Sequence, residues 1–169
     1  MAMVIRFMSM LVFVVSFLSA SILLTQAVEK VDLVRVEKSE RKMQLLSGSS
    51  VVKEYKIALG ARPVGHKQWE GDERTPEGRY VLDWRNPKSM AHKSIHISYP
   101  NGQDKAAAKA LGMSPGDAIM IHGAVNGYGW WGWVLQLIDW TDGCIAVTNP
   151  EMDEIWALVP NGTPIEIFP

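Results

Sequence analysis

Residues 118–147 read AIMIHGAVNGYGWWGWVLQLIDWTDGCIAV. The stretch opens as a short apolar strand that ends on His122 and passes through a loop of glycine and aromatic residues. A helical turn is expected over Leu135–Trp140, and Cys144 then stands at the mouth of a second strand, CIAV. Cys144 is the only cysteine of the chain, so no intramolecular disulfide is open to it. Such a thiol is either a small buried hydrophobe or a reactive group. Its neighbours favour reaction. Gly143 lets a substrate approach the backbone, and a thiol with an ordinary pKa of about 8.5 needs a base to raise its thiolate fraction. His122 ends its own strand 22 positions upstream and is followed by Gly123, far enough away for two strand ends to converge.

The flanking sequence is strand-dominated. Three runs alternate apolar and polar residues, Val31–Val36, Lys42–Leu46 and Val51–Ala58, separated by EKSER and SGSS, which predicts an opening antiparallel meander. Gly60–Gly78 is rich in glycine, proline and charge and shows no period, so a long surface loop is expected, of the length that tends to be functional. RYVLDW and SIHISYP read as strands, DKAAAKALGM as an alanine-rich helix, PEMDEIWALV as a helix with proline in its first turn, and GTPIEIFP as a closing strand. The fold class expected is mainly β (α+β), a single sandwich-like domain with two or three short helices.

The first 27 residues hold one ionisable side chain, Arg6, followed by an apolar run from Phe7 to about Leu24 and then Thr25-Gln26-Ala27. They read as a signal peptide or an uncleaved N-terminal anchor, with the domain over 28–169 exported and the periplasm its expected compartment. With Arg6 set aside, 16 of the 17 basic residues face all 18 acidic ones, a formal charge of −2. That balance, with no basic cluster, excludes nucleic acid as a partner and leaves the N-terminal segment as the sole route to a membrane. His92 and His96 have no Asp or Cys at metal-ligand spacing, so no metal is expected, and no motif implies a cofactor. Trp130, Trp131, Trp133 and Trp140 read either as core or, in a glycine-interrupted loop, as a lid that stacks on a substrate.

IMIHG and WTDGCIAV together resemble the L,D-transpeptidase catalytic domain, the YkuD-type family of bacterial cell-wall enzymes, and its YafK-like branch in particular. Its signature is a histidine-glycine strand end followed by Ser/Thr-x-Gly-Cys, and the resemblance extends to ALGARPVGHKQWEGDERTPEGRYVL with its Thr-Pro-x-Gly turn. The resemblance implies a cysteine acyl transferase acting on peptidoglycan stem peptides. Cys144 would attack the carbonyl of the third residue, expel the terminal D-alanine and form a thioester resolved by an amine or by water. His122 would be the base, the N–H of Cys144 with that of Gly143 the oxyanion donors, Thr141 the brace of the turn, and Gly123 the residue that lets the strand end bend, its carbonyl or that of a neighbour fixing the tautomer of His122. Asp142 stands where many members have histidine, and Ala146 where many have arginine or asparagine. Asp142, Arg74, Trp130, Trp131 and His96 are the candidate substrate contacts. The alternatives are an amidase or L,D-carboxypeptidase-type hydrolase that removes wall-linked groups, and a cell-wall binding module without turnover.

Overall fold

The computed structural model describes residues 30–169; the leader or anchor expected over residues 1–27 lies outside them. Eight strands form one continuous sheet, with three short helices beside it. The strands are β1 (Leu33–Glu37), β2 (Lys42–Ser47), β3 (Ser50–Lys56), β4 (Gly78–Ser89), β5 (His92–Ile97), β6 (Met120–His122), β7 (Ile145–Ala146) and β8 (Thr163–Phe168). Their order across the sheet is β3-β2-β1-β8-β4-β5-β6-β7. The opening meander forms as its alternation predicts, with Val34, Val36, Met43 and Leu45 on the buried side. The closing strand does not sit at an edge. β8 lies between β1, to which it is parallel, and β4, to which it is antiparallel.

β4 runs on to Ser89, beyond the RYVLDW segment read as a strand, and its pairing with β5 shifts register twice, between Leu82 and Arg85 and again between Asn86 and Ser89. Such irregularities bend a strand and re-aim its side chains. The far half of the β4–β5 hairpin therefore becomes one wall of a cleft.

The helices are α1 (Gly102–Ala110), α2 (Gly132–Leu135) and α3 (Asn149–Leu158), with a 3₁₀ turn at Gly129–Trp131 ahead of α2. In α1, Asn101 accepts from the N–H groups of Gln103 and Asp104, and the Asp104 carboxylate accepts from the Asn101 N–H, which satisfies donors left open by the first turn. α3 buries Met152 and Ile155 and packs against β5. The helical turn expected over Leu135–Trp140 instead ends at Leu135. The N–H groups of Trp140 and Thr141 both donate to the Leu59 carbonyl, and Thr141 bridges to Gly60, so tertiary pairing draws this segment out of helical geometry.

The 60–78 segment is irregular, as its composition predicts, but it is not simply a solvated loop. Lys67, Asp72, Thr75 and Pro76 are buried within it. Asp72 gathers the Lys67 ammonium at 2.8 Å and the N–H groups of Gln68, Trp69 and Arg74. A Cβ on Gly60 would lie 2.1 Å from the Glu73 carbonyl oxygen, so this tight approach requires glycine.

Candidate active site

β6 and β7 are parallel, with Ile121 opposite Ile145 and His122 opposite Ala146. Successive side chains of a strand alternate between faces. Ile121 and Ile145 accordingly enter the core, while Met120, His122 and Cys144 line the same cleft, whose volume is about 510 Å³. Cys144 lies just before β7, one diagonal step from His122. Ideal strand rise and spacing give roughly 8 Å between their Cα atoms, a separation that a cysteine and an imidazole on one face can span.

The Nδ1 of His122 is 2.6 Å from the carbonyl oxygen of Gly123. A carbonyl can only accept, so Nδ1 carries the proton, and Nε2 keeps its lone pair in the neutral ring. Burial holds the His122 pKa below its ordinary value of 6.5, against a smaller upward pull from the Gly123 carbonyl. Trp140 packs edge-on against the ring at a centroid distance of 5.8 Å. The Cys144 thiol is pushed up, first by burial; the Met120 backbone hydrogen bond opposes this, Asp142 adds to it by charge, and Lys67 opposes it by charge. Its Sγ lies 3.7 Å from the Ala118 carbonyl oxygen, to which a protonated thiol donates weakly. The pair therefore rests as neutral thiol and neutral imidazole.

The turn before Cys144 is tightly specified. The Thr141 hydroxyl donates to the Cys144 carbonyl at 2.8 Å and accepts from the Gly143 N–H at 3.2 Å. Gly143 has a φ of +122°, and a Cβ there would lie 2.5 Å from the Arg74 carbonyl oxygen, so both conformation and space demand glycine. Because the Gly143 N–H is taken by Thr141, it is not the free donor considered from the sequence. The Cys144 N–H has no acceptor among the described residues and is open to an oxyanion.

Thus the cleft brings together His122, Cys144, Thr141 and Asp142. Gly123 lies beside it, and a Cβ there would meet the Oδ1 of Asn149 at 2.6 Å. Arg74 does not reach the cleft. Its backbone carbonyl packs on Gly143, while its guanidinium lies beside Gly65. His96 is also turned away, with Nδ1 2.7 Å from Asp83 Oδ1 and its ring stacked on Trp84 at 4.9 Å. Trp130 and Trp131 pack on each other at 4.8 Å, are exposed, and do not line the cleft; of the tryptophans between base and nucleophile, Trp140 does.

Two contributors escape sequence reading. Asn149 accepts from the Ala124 N–H at 2.8 Å and fills the spaces beside Gly123 and Gly129, so it holds the turn whose carbonyl bonds His122. In sequence it looks like an ordinary helix-start residue before Pro150; the pairing of Asn149 with two distant glycines is the missing signal. Asp139 accepts from the Leu59 N–H at 2.9 Å and is gripped by Arg41, whose Nε and Nη2 reach its two oxygens at 2.7 to 3.1 Å. That clamp fixes the segment leading to Trp140 and Thr141.

The family model for the L,D-transpeptidase catalytic domain (YkuD) matches residues 32–167. The chain belongs to that family. It is 34% identical over 108 residues to YafK of Escherichia coli (strain K12), a match that covers 62% of this chain and 36% of that relative. The chain therefore aligns with about a third of the curated relative's length. Among solved structures it is similar to the helical cell shape determining protein Pgp2 from Campylobacter jejuni, with a TM-score of 0.62 and 26% identity over 81% of this chain and 47% of that one. An L,D-transpeptidase from Mycobacterium smegmatis shares the fold, with a TM-score of 0.55 and 12% identity, covering 81% of this chain and 58% of its own.

Proposed function

We propose that this protein is an exported cysteine acyl transferase that acts on peptidoglycan stem peptides in the periplasm. The observation that carries the reading is the pairing, on one cleft wall, of a thiol with an imidazole whose tautomer is set by Gly123, beside an unspent Cys144 N–H. Family membership over residues 32–167 supports the substrate class. The apolar run Phe7–Leu24 supports export.

In this mechanism His122 Nε2 takes the proton from Cys144 as the sulfur attacks the carbonyl carbon of the third stem residue. Neutral partners favour transfer during attack rather than a standing ion pair. The Cys144 N–H donates to the developing oxyanion. Collapse breaks the bond to the terminal D-alanine, whose nitrogen receives the proton from His122, and leaves a thioester on Sγ. An acceptor amine or water, deprotonated by His122, attacks that thioester and restores the thiol.

One observation favours water as an acceptor. Trp130, Trp131 and Trp133 are 74%, 44% and 68% exposed and do not line the cleft, which leaves the thioester position accessible to water. Purified disaccharide tetrapeptides incubated with the protein test the reading. D-alanine release accompanied by cross-linked or tripeptide products, abolished in Cys144→Ala, is expected. Unchanged tetrapeptide with a folded protein would overturn it in favour of cleavage of an existing attachment or of binding without turnover.

A further inference from the structure

The fixed charge of the cleft sits on one residue. Its ionisable lining groups are Cys144, His122 and Asp142, and the first two rest neutral. Among the described residues no lysine or arginine lines it. Lys67, the cation close enough to influence the thiol, is 3% exposed and bound to Asp72 at 2.8 Å and to the Trp69 carbonyl at 3.2 Å. Two positions after Cys144, a buried alanine, Ala146, supplies no polar group.

Asp142 itself is exposed and makes no hydrogen bond or ion pair among the described residues, although both of its chain neighbours are committed to the turn. Its charge opposes thiolate formation on Cys144, so it gives the nucleophile no help. A carboxylate left unpaired at the edge of an otherwise uncharged cleft attracts a cation and repels an anion in the same place.

We infer that Asp142 forms an ammonium subsite, which takes an amino group that stays protonated on the acyl-donating peptide. The inference rests on the acyl-transfer reading and names the substrate class of the same cleft. The ammonium belongs to the donor rather than to an attacking acceptor, because an amine must lose its proton to attack and a neighbouring carboxylate stabilises the protonated form. A donor whose third residue ends in a free side-chain amine fits; one whose amine is acylated loses the contact. The same field disfavours a substrate carboxylate beside Asp142.

The single cysteine makes the test direct. Cys144 is labelled with cationic 2-aminoethyl and anionic 2-sulfonatoethyl methanethiosulfonate, with rates normalised to those of a small free thiol, in the wild type, Asp142→Asn and Asp117→Asn. Asp117 is an exposed carboxylate that does not line the cleft. The wild type is expected to favour the cationic reagent by about tenfold, Asp142→Asn to lose most of that preference, and Asp117→Asn to keep it. In parallel, tetrapeptides with a free or an acetylated amine on the third residue are compared. A preference for the free amine of about tenfold in kcat/KM, residing in KM and lost in Asp142→Asn, is expected.

Equal labelling ratios in wild type and Asp142→Asn would overturn the inference, as would equal turnover of free and acetylated peptides by the wild type. An Asp142-dependent labelling ratio with neither peptide turned over would support a cationic subsite and overturn the acyl-transfer reading instead.

Discussion

His122 sets the pH behaviour of the site. Its pKa is depressed by burial, so the ring stays unprotonated to lower pH than an exposed histidine would, and the thiol, pushed above its ordinary value by burial, stays protonated to higher pH. A mechanism that starts from the neutral pair gains activity as pH rises through the depressed imidazole value. The acid limb of kcat/KM is expected below pH 6.5, with a plateau that extends past the ordinary range of a thiol. A preformed thiolate–imidazolium pair would instead confine activity to a window with imidazole as its upper limit. At this scale the pair itself is legible in the sequence, because a lone cysteine after glycine and a strand-ending histidine are local features. The reason for Gly143 is not. Access for a substrate suggests glycine, but the Arg74 carbonyl that fills the place of a Cβ comes from 69 positions upstream.

The strand ends that hold the site are kept in place by contacts between elements. Asp139 joins the segment after α2 to Arg41 at the start of the β2 hairpin and to the Leu59 backbone. Asp139→Ala leaves the half-buried guanidinium without its carboxylate and the Leu59 N–H without an acceptor. A loss of about 1–3 kcal/mol in urea unfolding is expected, together with a fall in turnover as Thr141 and Trp140 lose their anchor. A loss under about 0.5 kcal/mol would place the pair with ordinary surface ion pairs. This clamp also explains why the segment after α2 defeats sequence reading. Its apolar residues suggest a helical turn through Trp140, whereas Leu59 takes both the Trp140 and Thr141 N–H groups. Likewise the tryptophans in GYGWWGW carry no sign of which face they take, and nothing local to them shows that Asn149 packs against Gly129.

Across the whole molecule, alternation identifies most strands because one face of the sheet is buried, and period 2 is the signature of that state. Strand order is another matter. The placement of β8 between β1 and β4 depends on distant pairings, Val34 and Tyr80 both with Ile165, and that of the short pair β6–β7 at the sheet's far edge on Ile121 pairing with Ile95 on one side and Ile145 on the other. The sheet thereby sets two short strand ends side by side, with the irregular 60–78 segment wedged behind Gly143. Intact-mass analysis of the wild-type protein and Cys144→Ala after incubation with purified tetrapeptide fragments tests acyl transfer through Cys144 most directly. A transient acyl adduct whose added mass is that of the fragment minus free D-alanine is expected on the wild type, and none on Cys144→Ala. An unmodified wild-type protein with unaltered fragments, or an adduct that survives in Cys144→Ala, would contradict it.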